Sequence, residues 1–124
     1  MLITMMAPYS KVLITGGCGF IGSHLLASII QNVRDIVIID NLSTGAVSNI
    51  EKWINEPNLR LVKGDLLDAY TVEHTLRDRD LVFHLAANSE VKTGVEDTRK
   101  DLEQNILATH NLLEGMRKSN RAKS

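Results

Sequence analysis

The sequence has little of several features that each define a class of protein. Its 124 residues contain one cysteine, two prolines and only 4% aromatic residues, and the charges nearly cancel to a net charge of -1. A single cysteine excludes an internal disulfide scaffold and agrees with a reducing compartment. A net charge near zero gives no broad electrostatic reason to bind nucleic acid, and no apolar run is long enough to span a bilayer.

The first residues, Met1 to Met6, are the part of the sequence most similar to a targeting signal, because they are apolar. They lack a basic leading region and Pro8 follows closely, so we predict no secretory signal and a cytoplasmic protein. The apolar fraction of 44% is ordinary for a globular chain and is enough for one core. We therefore expect one domain at 11–116, with an N-terminal extension at 1–10 and a basic C-terminal tail at 117–124.

Strand-like and helix-like patterns alternate along the chain. Short apolar runs rich in β-branched residues predict strands covered on both faces, at 12–14, 35–39, 59–62 and 81–85. Helical spacing predicts helices at 20–32, 50–54, 71–77 and 96–116, and the polar segment 41–49 indicates a loop. Such alternation predicts the α/β class, an open parallel sheet with right-handed crossovers.

Two of the predicted helices carry apolar stripes. In the first helix Ile21, Leu25 and Ile29 recur every four residues and are expected to lie on the sheet, with Ser23 facing elsewhere. In the helix at 96–116 apolar positions follow at steps of four and three: Leu102, Ile106, Thr109, Leu113 and Met116. This second stripe is expected to pack into the core or to join another subunit.

Three glycines mark the turn between the first strand and the first helix, at Gly16, Gly19 and Gly22. Closely spaced glycines at this place let the backbone approach a pyrophosphate, and the following helix directs its free N–H groups at the charge. The second strand ends in Asp40, at the distance where a ribose-binding carboxylate is expected. The alternatives are a tight turn without a ligand and an Asp40 that only ends a strand or caps a turn.

Four ordered motifs make the chain resemble the extended short-chain dehydrogenase/reductase superfamily. They are a GxxGxxG turn at 15–22, Asp-Asn-Leu-Ser-Thr-Gly at 40–45, Gly-Asp-Leu at 64–66 and His-Leu-Ala-Ala at 84–87. The closest likeness is to its NAD-dependent epimerase/dehydratase branch, especially UDP-glucose 4-epimerase-like proteins. The helix at 105–113 also matches, except that Ala108 replaces the usual glycine. The resemblance implies an NAD(P)-binding Rossmann-like doubly wound sheet of strand order 3-2-1-4, here truncated after about four strands.

The resemblance also implies which residues bind NAD. The turn residues surround the pyrophosphate, the residues around Asp40 hold the adenosine ribose, those at 65–66 flank the adenine, and those at 86–87 pass under the cofactor. Asn105 is expected to support the site from behind. The implied set is Gly16, Gly19, Phe20, Ile21, Gly22, Asp40, Asn41, Ser43, Asp65, Leu66, Ala86, Ala87 and Asn105. The carboxylate of Asp40 would repel the 2′-phosphate of NADP, which favours NAD. Asp65 has an alternative interpretation as a simple turn residue.

The sequence departs from the family at its catalytic residues. The family's Tyr-x-x-x-Lys pair moves a proton at a sugar hydroxyl, and this sequence has no such pair; its only tyrosines are Tyr9 and Tyr70. We therefore expect the chain to be the NAD-binding portion of a sugar-nucleotide epimerase or dehydratase, not catalytic alone, with a nucleotide-sugar substrate only if a C-terminal lobe is supplied. The alternatives are a stand-alone NAD-binding regulatory or scaffolding module, and a decayed fragment.

The remaining candidate features have plainer interpretations. Cys18 has no basic neighbour in the sequence and is expected to be a small filler residue. The four histidines lack the spacing of metal ligands, so we assign no metal. In the family, the helix corresponding to 96–116 commonly joins a dimer interface, which implies a possible homodimer. The strand at 81–85 is expected to form an apolar edge of the sheet.

Overall fold

The computed structural model describes residues 9–119, and predictions about residues 1–8 and 120–124 lie outside this range. Four parallel strands form one sheet, β1 (Lys11–Thr15), β2 (Asp35–Asp40), β3 (Leu59–Lys63) and β4 (Leu81–His84), in the order β3-β2-β1-β4. The predicted α/β class, Rossmann-like sheet and strand order are therefore confirmed. Among the described strands, β4 forms one edge of the sheet, as predicted.

Helical elements follow each strand. They are α1 (Phe20–Ile29), a 3₁₀ helix (Val47–Trp53), α2 (Ala69–Leu76), α3 (Val91–Glu96), α4 (Thr98–Asp101), a π-helical segment (Leu102–Leu107) and α5 (Ala108–Ser119). The 3₁₀ helix begins inside the segment that the sequence predicts to be a loop. Within residues 9–119 no helix has both the length and the apolar character that crossing a bilayer requires.

Two apolar layers hold the helices on opposite faces of the sheet, because successive side chains of a strand point to opposite faces. On one face Val12, Ile14, Ile36 and Ile38 pack with α1 and the 3₁₀ helix. On the other face the intervening strand residues, at positions 13, 37 and 39, pack with α2 and α5. Since the strands are covered twice, they have continuous apolar runs. The connection from β1 leads to β2 on one side of β1, whereas the connection from β3 leads to β4 on its other side. This reversal of strand order opens a crevice at the carboxyl ends of β1 and β4.

The predicted buried face of α1 is partly wrong. Ile29 is buried, but Ile21 is 68% exposed, and Ser23, which was expected to face away, is buried beside Leu26. A step of four residues advances about 40° beyond a full helical turn, so a strict four-residue repeat drifts off the sheet. The Ser23 hydroxyl donates to the Phe20 carbonyl at 3.0 Å, which satisfies this polar group inside the interface.

The helix predicted at 96–116 is observed as a continuous helical run over 98–119, but its form is not uniform. Asp97 caps α4 by accepting from Lys100 N–H, and the π-helical segment lies between α4 and α5. Ile106 and Leu113, which belong to the predicted apolar stripe, are 59% and 54% exposed, while Leu112, outside the stripe, is buried on the sheet. Of the two expectations for the stripe, packing into the core is therefore wrong for Ile106 and Leu113.

Candidate functional site

A cleft of about 340 Å³ lies at the carboxyl ends of the strands, at the crevice between β1 and β4. Every residue of the predicted NAD set lines it except Asn105: Gly16, Gly19, Phe20, Ile21, Gly22, Asp40, Asn41, Ser43, Asp65, Leu66, Ala86 and Ala87. These residues come from four separate loops. The fold therefore brings together, in one place, side chains and backbone groups that are far apart in sequence.

Close backbone contacts require glycine at two positions of the turn. Gly16 has a φ of +70°, and a Cβ added there would lie 2.7 Å from the backbone nitrogen of Ala86. A Cβ on Gly22 would contact the carbonyl oxygen of Gly16. Glycine is thus needed where β1 turns into α1 and where the turn meets the loop after β4. The tight-turn interpretation and the ligand-binding interpretation are both compatible with this geometry.

The N-terminus of α1 faces the same cleft and suits an anion. The first N–H groups of a helix have no acceptor within it, and in α1 these belong to Phe20, Ile21 and Gly22. The N-cap residue, Gly19, has no side chain, and the first turn contains no acidic residue. The positive end of the helix dipole is thus available to a negatively charged ligand. Phe20 is 78% exposed at the mouth of the cleft.

The carboxylate of Asp40 joins the two loops on this side of the cleft. It is buried, with Oδ2 accepting from the Cys18 N–H at 2.9 Å and Oδ1 accepting from the Leu42 N–H at 2.8 Å. Each oxygen of an ionised carboxylate has a second acceptor position. Asp40 therefore caps the turn, as the plainer interpretation requires, and still has capacity to accept from the hydroxyls of a ligand.

The thiol of Cys18 is fully buried behind the glycine turn. Burial, and then the nearby Asp40 carboxylate, raises the pKa of Cys18 to about 11 against a smaller opposing effect of Lys63. The thiol stays protonated at neutral pH and is a poor nucleophile. The predicted role of small filler residue is confirmed.

The loop after β3 closes another side of the cleft. Asp65 Oδ1 accepts from the Leu67 N–H at 3.0 Å, so this side chain is a turn residue that also lines the cleft. The side-chain amide of Asn111, on α5, donates to the Leu66 carbonyl at 3.0 Å. The last helix thereby fixes the position of a loop at the cleft.

Asn105 lies behind the cleft. Its Oδ1 accepts from the Asn88 N–H at 2.7 Å, and its Nδ2 donates to the Asn88 carbonyl at 3.2 Å. This pair of bonds holds the loop that follows Ala86 and Ala87. Asn105 does not itself line the cleft, and its support of a cofactor site, which the resemblance implied, stays a prediction.

Sequence reasoning missed several residues of the cleft. They are Ile39, Thr44, Gly45, Gly64, Leu85, Ser89 and Gln104. Four of them lie inside the motifs at 40–45, 64–66 and 84–87, and Ile39 and Ser89 lie one or two positions outside, so assigning each whole motif and its neighbours to the site would have found them. Gln104 is different, because the side-chain amide of Asn41 donates to its Oε1 at 3.3 Å across 63 positions of sequence. Gln104 belongs to the π-helical segment, which the sequence did not predict.

Neither tyrosine lies at the cleft. Tyr70 is 67% exposed and its ring lies 3.8 Å from that of His74, whereas Tyr9 packs against the first apolar layer. Neither can exchange a proton with a ligand in the cleft. Across the described residues 9–119, no three His, Cys, Asp or Glu side chains converge closely enough to hold a metal ion.

The sequence and fold of the chain are similar to those of known proteins. A family model described as GDP-mannose 4,6-dehydratase matches residues 13–124. A putative UDP-glucose 4-epimerase of Methanocaldococcus jannaschii is 41% identical over 108 residues, which cover 86% of this chain and 34% of that protein.

Solved structures of similar proteins agree. The UDP-N-acetylglucosamine 4-epimerase of Methanobrevibacter ruminantium, in complex with UDP-N-acetylmuramic acid, matches with a TM-score of 0.83 and 39% identity, covering 91% of this chain and 36% of that one. The UDP-glucose 4-epimerase of Thermus thermophilus, in complex with NAD, matches with a TM-score of 0.77 and 37% identity, covering 89% of this chain and 34% of that one. The chain thus spans about a third of the length of these relatives.

Proposed function

The chain belongs to the GDP-mannose 4,6-dehydratase family of NAD-dependent sugar-nucleotide epimerases and dehydratases, and from this we propose that its cleft binds NAD. The single observation that carries the proposal is the joint placement of the α1 N-terminus and the Asp40 carboxylate on one cleft. A dinucleotide presents two phosphates beside a ribose diol, which are the groups that these two features suit. The NAD complex of the related Thermus thermophilus epimerase supports the assignment.

Individual residues would divide the cofactor between them. The backbone from Gly16 to Gly22 would hold the pyrophosphate, and Asp40 would accept from the adenosine ribose with Asn41 and Ser43 beside it. Asp65 and Leu66 would flank the adenine. The small side chains of Ala86 and Ala87 would leave room for the nicotinamide end, with Asn105 fixing their loop through Asn88. We propose NAD over NADP because a phosphate on the ribose would meet the Asp40 carboxylate.

Calorimetric titration with NAD and NADP tests this proposal. We expect the folded chain to bind NAD and to bind NADP more weakly. The Asp40→Asn variant should lose roughly tenfold or more in affinity for NAD, because a charged acceptor is removed. The same variant should also reduce the difference between the affinities for NAD and NADP. The Glu73→Gln variant removes one negative charge on exposed α2 and should change neither affinity. A flat titration of folded protein at millimolar NAD would refute the proposal.

The proposed role in catalysis is to hold and orient the cofactor. NAD, when bound, supplies reversible acceptance of a hydride from a sugar carbon. The residues present here contain no Tyr-x-x-x-Lys pair to move the accompanying proton. We therefore expect the 124-residue chain to bind NAD and to leave UDP-glucose unchanged, as checked by chromatographic separation of the nucleotide sugars. Turnover by this chain alone would contradict that expectation.

The exposed apolar side chains of the last helical region support a proposed association between copies. Leu102, Ile106 and Leu113 are 45%, 59% and 54% exposed. We expect sedimentation to show a homodimer that Leu113→Glu dissociates and that Lys118→Glu, on the same helix, leaves intact. The same surface also favours the second candidate, a stand-alone NAD-binding module that docks a partner. A monomeric chain that binds NAD would favour this second candidate. A cytoplasmic location stays a prediction from the sequence.

A further inference from the structure

The imidazole of His84 bridges two elements that meet behind the cleft. His84 is the last residue of β4, and its ring is half-buried between β1 and α5. Nδ1 lies 2.6 Å from the hydroxyl oxygen of Thr15, and Nε2 lies 2.8 Å from the hydroxyl oxygen of Thr109. Both ring nitrogens therefore have a hydroxyl partner, and hydroxyl groups can either donate or accept.

The hydrogen bonds at Thr109 decide the role of Nε2. The Thr109 hydroxyl donates its one proton to the carbonyl oxygen of Asn105 at 3.0 Å. Its oxygen can then only accept from the imidazole, so Nε2 must carry a hydrogen. The final helix thereby receives a hydrogen bond from the last residue of β4.

The bonds at Thr15 decide the role of Nδ1 independently. The Thr15 hydroxyl oxygen accepts from the backbone N–H groups of Leu85 and Ala86, each at 3.1 Å, and the Leu85 N–H is shared with the Thr15 carbonyl oxygen at 3.0 Å. Because N–H donors approach the hydroxyl oxygen from the loop side, its own proton is the group that can meet Nδ1, which then carries no hydrogen. Both ends of the bridge require the same neutral imidazole, with its hydrogen on Nε2.

The bridge acts on the floor of the cleft. Leu85 and Ala86 line the cleft, and Ala86 is the residue whose backbone packs on Gly16 of the glycine turn. The Thr15 hydroxyl, which contacts His84, also accepts from the N–H groups of Leu85 and Ala86. The Thr15 hydroxyl thus connects the ring of His84 to the loop after β4, beside the backbone bond from the Leu85 N–H to the Thr15 carbonyl oxygen.

We propose that His84, as the neutral tautomer with its hydrogen on Nε2, is a positioning residue for NAD binding, which aligns the Leu85–Ala86 floor with the glycine turn through Thr15 and is held by Thr109. The proposal rests on the proposed function of the cleft. His84 itself does not line the cleft, so it acts through Thr15 and not by contact with the cofactor.

The surroundings of the ring favour this form. Burial lowers the pKa of the His84 imidazole below its usual range. The groups that face its nitrogens are the Thr15 hydroxyl from β1 and the Thr109 hydroxyl from α5, and both are uncharged. If Nδ1 also carried a hydrogen, that hydrogen would point at the proton of the Thr15 hydroxyl. The hydroxyl oxygen already faces the N–H groups of Leu85 and Ala86, so it is poorly placed to accept from a third donor.

The first test measures the tautomer directly. Long-range proton–nitrogen NMR of the uniformly ¹⁵N-labelled chain, without any cofactor, distinguishes a protonated ring nitrogen from an unprotonated one. We expect His84 to show a protonated Nε2 and an unprotonated Nδ1 at neutral pH. A hydrogen on Nδ1, or a rapidly exchanging mixture of tautomers, would overturn the proposal. This measurement does not depend on whether NAD binds.

The second test measures the effect on the cleft. Thr109→Val preserves side-chain shape but removes the acceptor for Nε2, and should weaken NAD binding roughly three- to tenfold, the effect of one hydrogen bond. Thr109→Ser restores the hydroxyl and should restore the affinity. Thr75→Val is the matched control, because the Thr75 hydroxyl donates within α2, away from the cleft. We expect it to leave the affinity unchanged.

The outcomes separate the two proposals. NAD binding by the unaltered chain with equal affinity in Thr109→Val would overturn the positioning role alone. An absence of NAD binding by the unaltered chain, seen before any substitution is made, would overturn the proposed function together with the role that rests on it. Weakening in Thr75→Val equal to that in Thr109→Val would also overturn the positioning role, because any lost buried hydroxyl would then have the same effect.

Discussion

The first crossover, at 11–40, and the last helical region, at 91–119, follow different rules of construction. In the first, each strand is paired on both sides and packed on both faces, and Val12 to Ile14 have no exposed surface. In the last, two short α-helices are followed by a π-helical segment and a longer α-helix, and several large apolar side chains face outwards. The strands of the first region are packed on both faces, whereas the last helix packs on the sheet through one face.

The difference lies in what each helix packs against. The helix α1 packs between the glycine turn and the 3₁₀ helix, so its close approach demands small residues such as Gly22. The helix α5 contacts the sheet layer through Ala108 and Leu112 and contacts α2 beside it. A tightly packed region tolerates few changes of volume, whereas a region with one free face tolerates many.

The largest expected effect comes from matched glycine substitutions in the two regions. Gly16→Ala places a methyl group 2.7 Å from backbone at a φ of +70°, and should lower the free energy of unfolding by about 2–5 kcal/mol. Gly115→Ala, on α5, meets the side-chain ends of Leu76 and Val72, which can move, while alanine favours the helix. We expect it to change stability by less than about 1 kcal/mol. Urea unfolding measures both variants, and equal losses would remove the distinction between the regions.

A second pair of variants compares two faces of the same helix. Leu112 is 1% exposed and packs on the sheet, so Leu112→Ala should cost about 2–4 kcal/mol. Leu113 is 54% exposed, and Leu113→Ala should cost less than about 0.5 kcal/mol in the monomer. Unfolding at low protein concentration avoids a contribution from association. A larger loss at Leu113 than at Leu112 would show that the outward face is the packed one.

The same contrast explains how far sequence reasoning reached. The four strands, the glycine turn and Asp40 followed from short-range patterns, because glycine at a strand–helix turn and a carboxylate at a strand end have local physical causes. The strand order and the other residues of the cleft came from the family resemblance. The buried face of α1 and the form of the last region followed from neither. Ser23 is buried because its hydroxyl bonds to its own helix, and an apolar periodicity does not report such a bond.

The prediction for the last helical region was incomplete for a different reason. The spacing of Leu102, Ile106 and Leu113 left two expectations open, the core and another subunit, and only the structure shows that these side chains face outwards. A π-helical segment leaves little trace in residue types, so the approach of Gln104 to Asn41 could not be predicted. A role for Asn105 was implied only by the resemblance, and its contacts with Asn88 came from the structure.

The smallest expected effect concerns the place where the two regions are joined, through Thr15, His84 and Thr109. Because burial lowers the pKa of His84 in the folded chain, the unfolded chain binds this proton more readily. The contribution of His84 to stability should be complete above the ordinary histidine pKa of about 6.5 and should be lost as the pH falls through the lower folded pKa. One proton limits the slope to about 1.4 kcal/mol per pH unit.

Comparing unfolding free energies of the unaltered chain and His84→Gln between about pH 8 and pH 5 isolates this effect. The carboxylate of Asp35, whose pKa Arg79 lowers through a direct hydrogen bond, titrates below that window and should contribute equally to both proteins. The unaltered chain should lose more stability than the variant as the pH falls, because only the unaltered chain must protonate an imidazole held neutral by its fold. Parallel curves would mean that Thr15 and Thr109 keep the two regions together without help from the protonation state of His84.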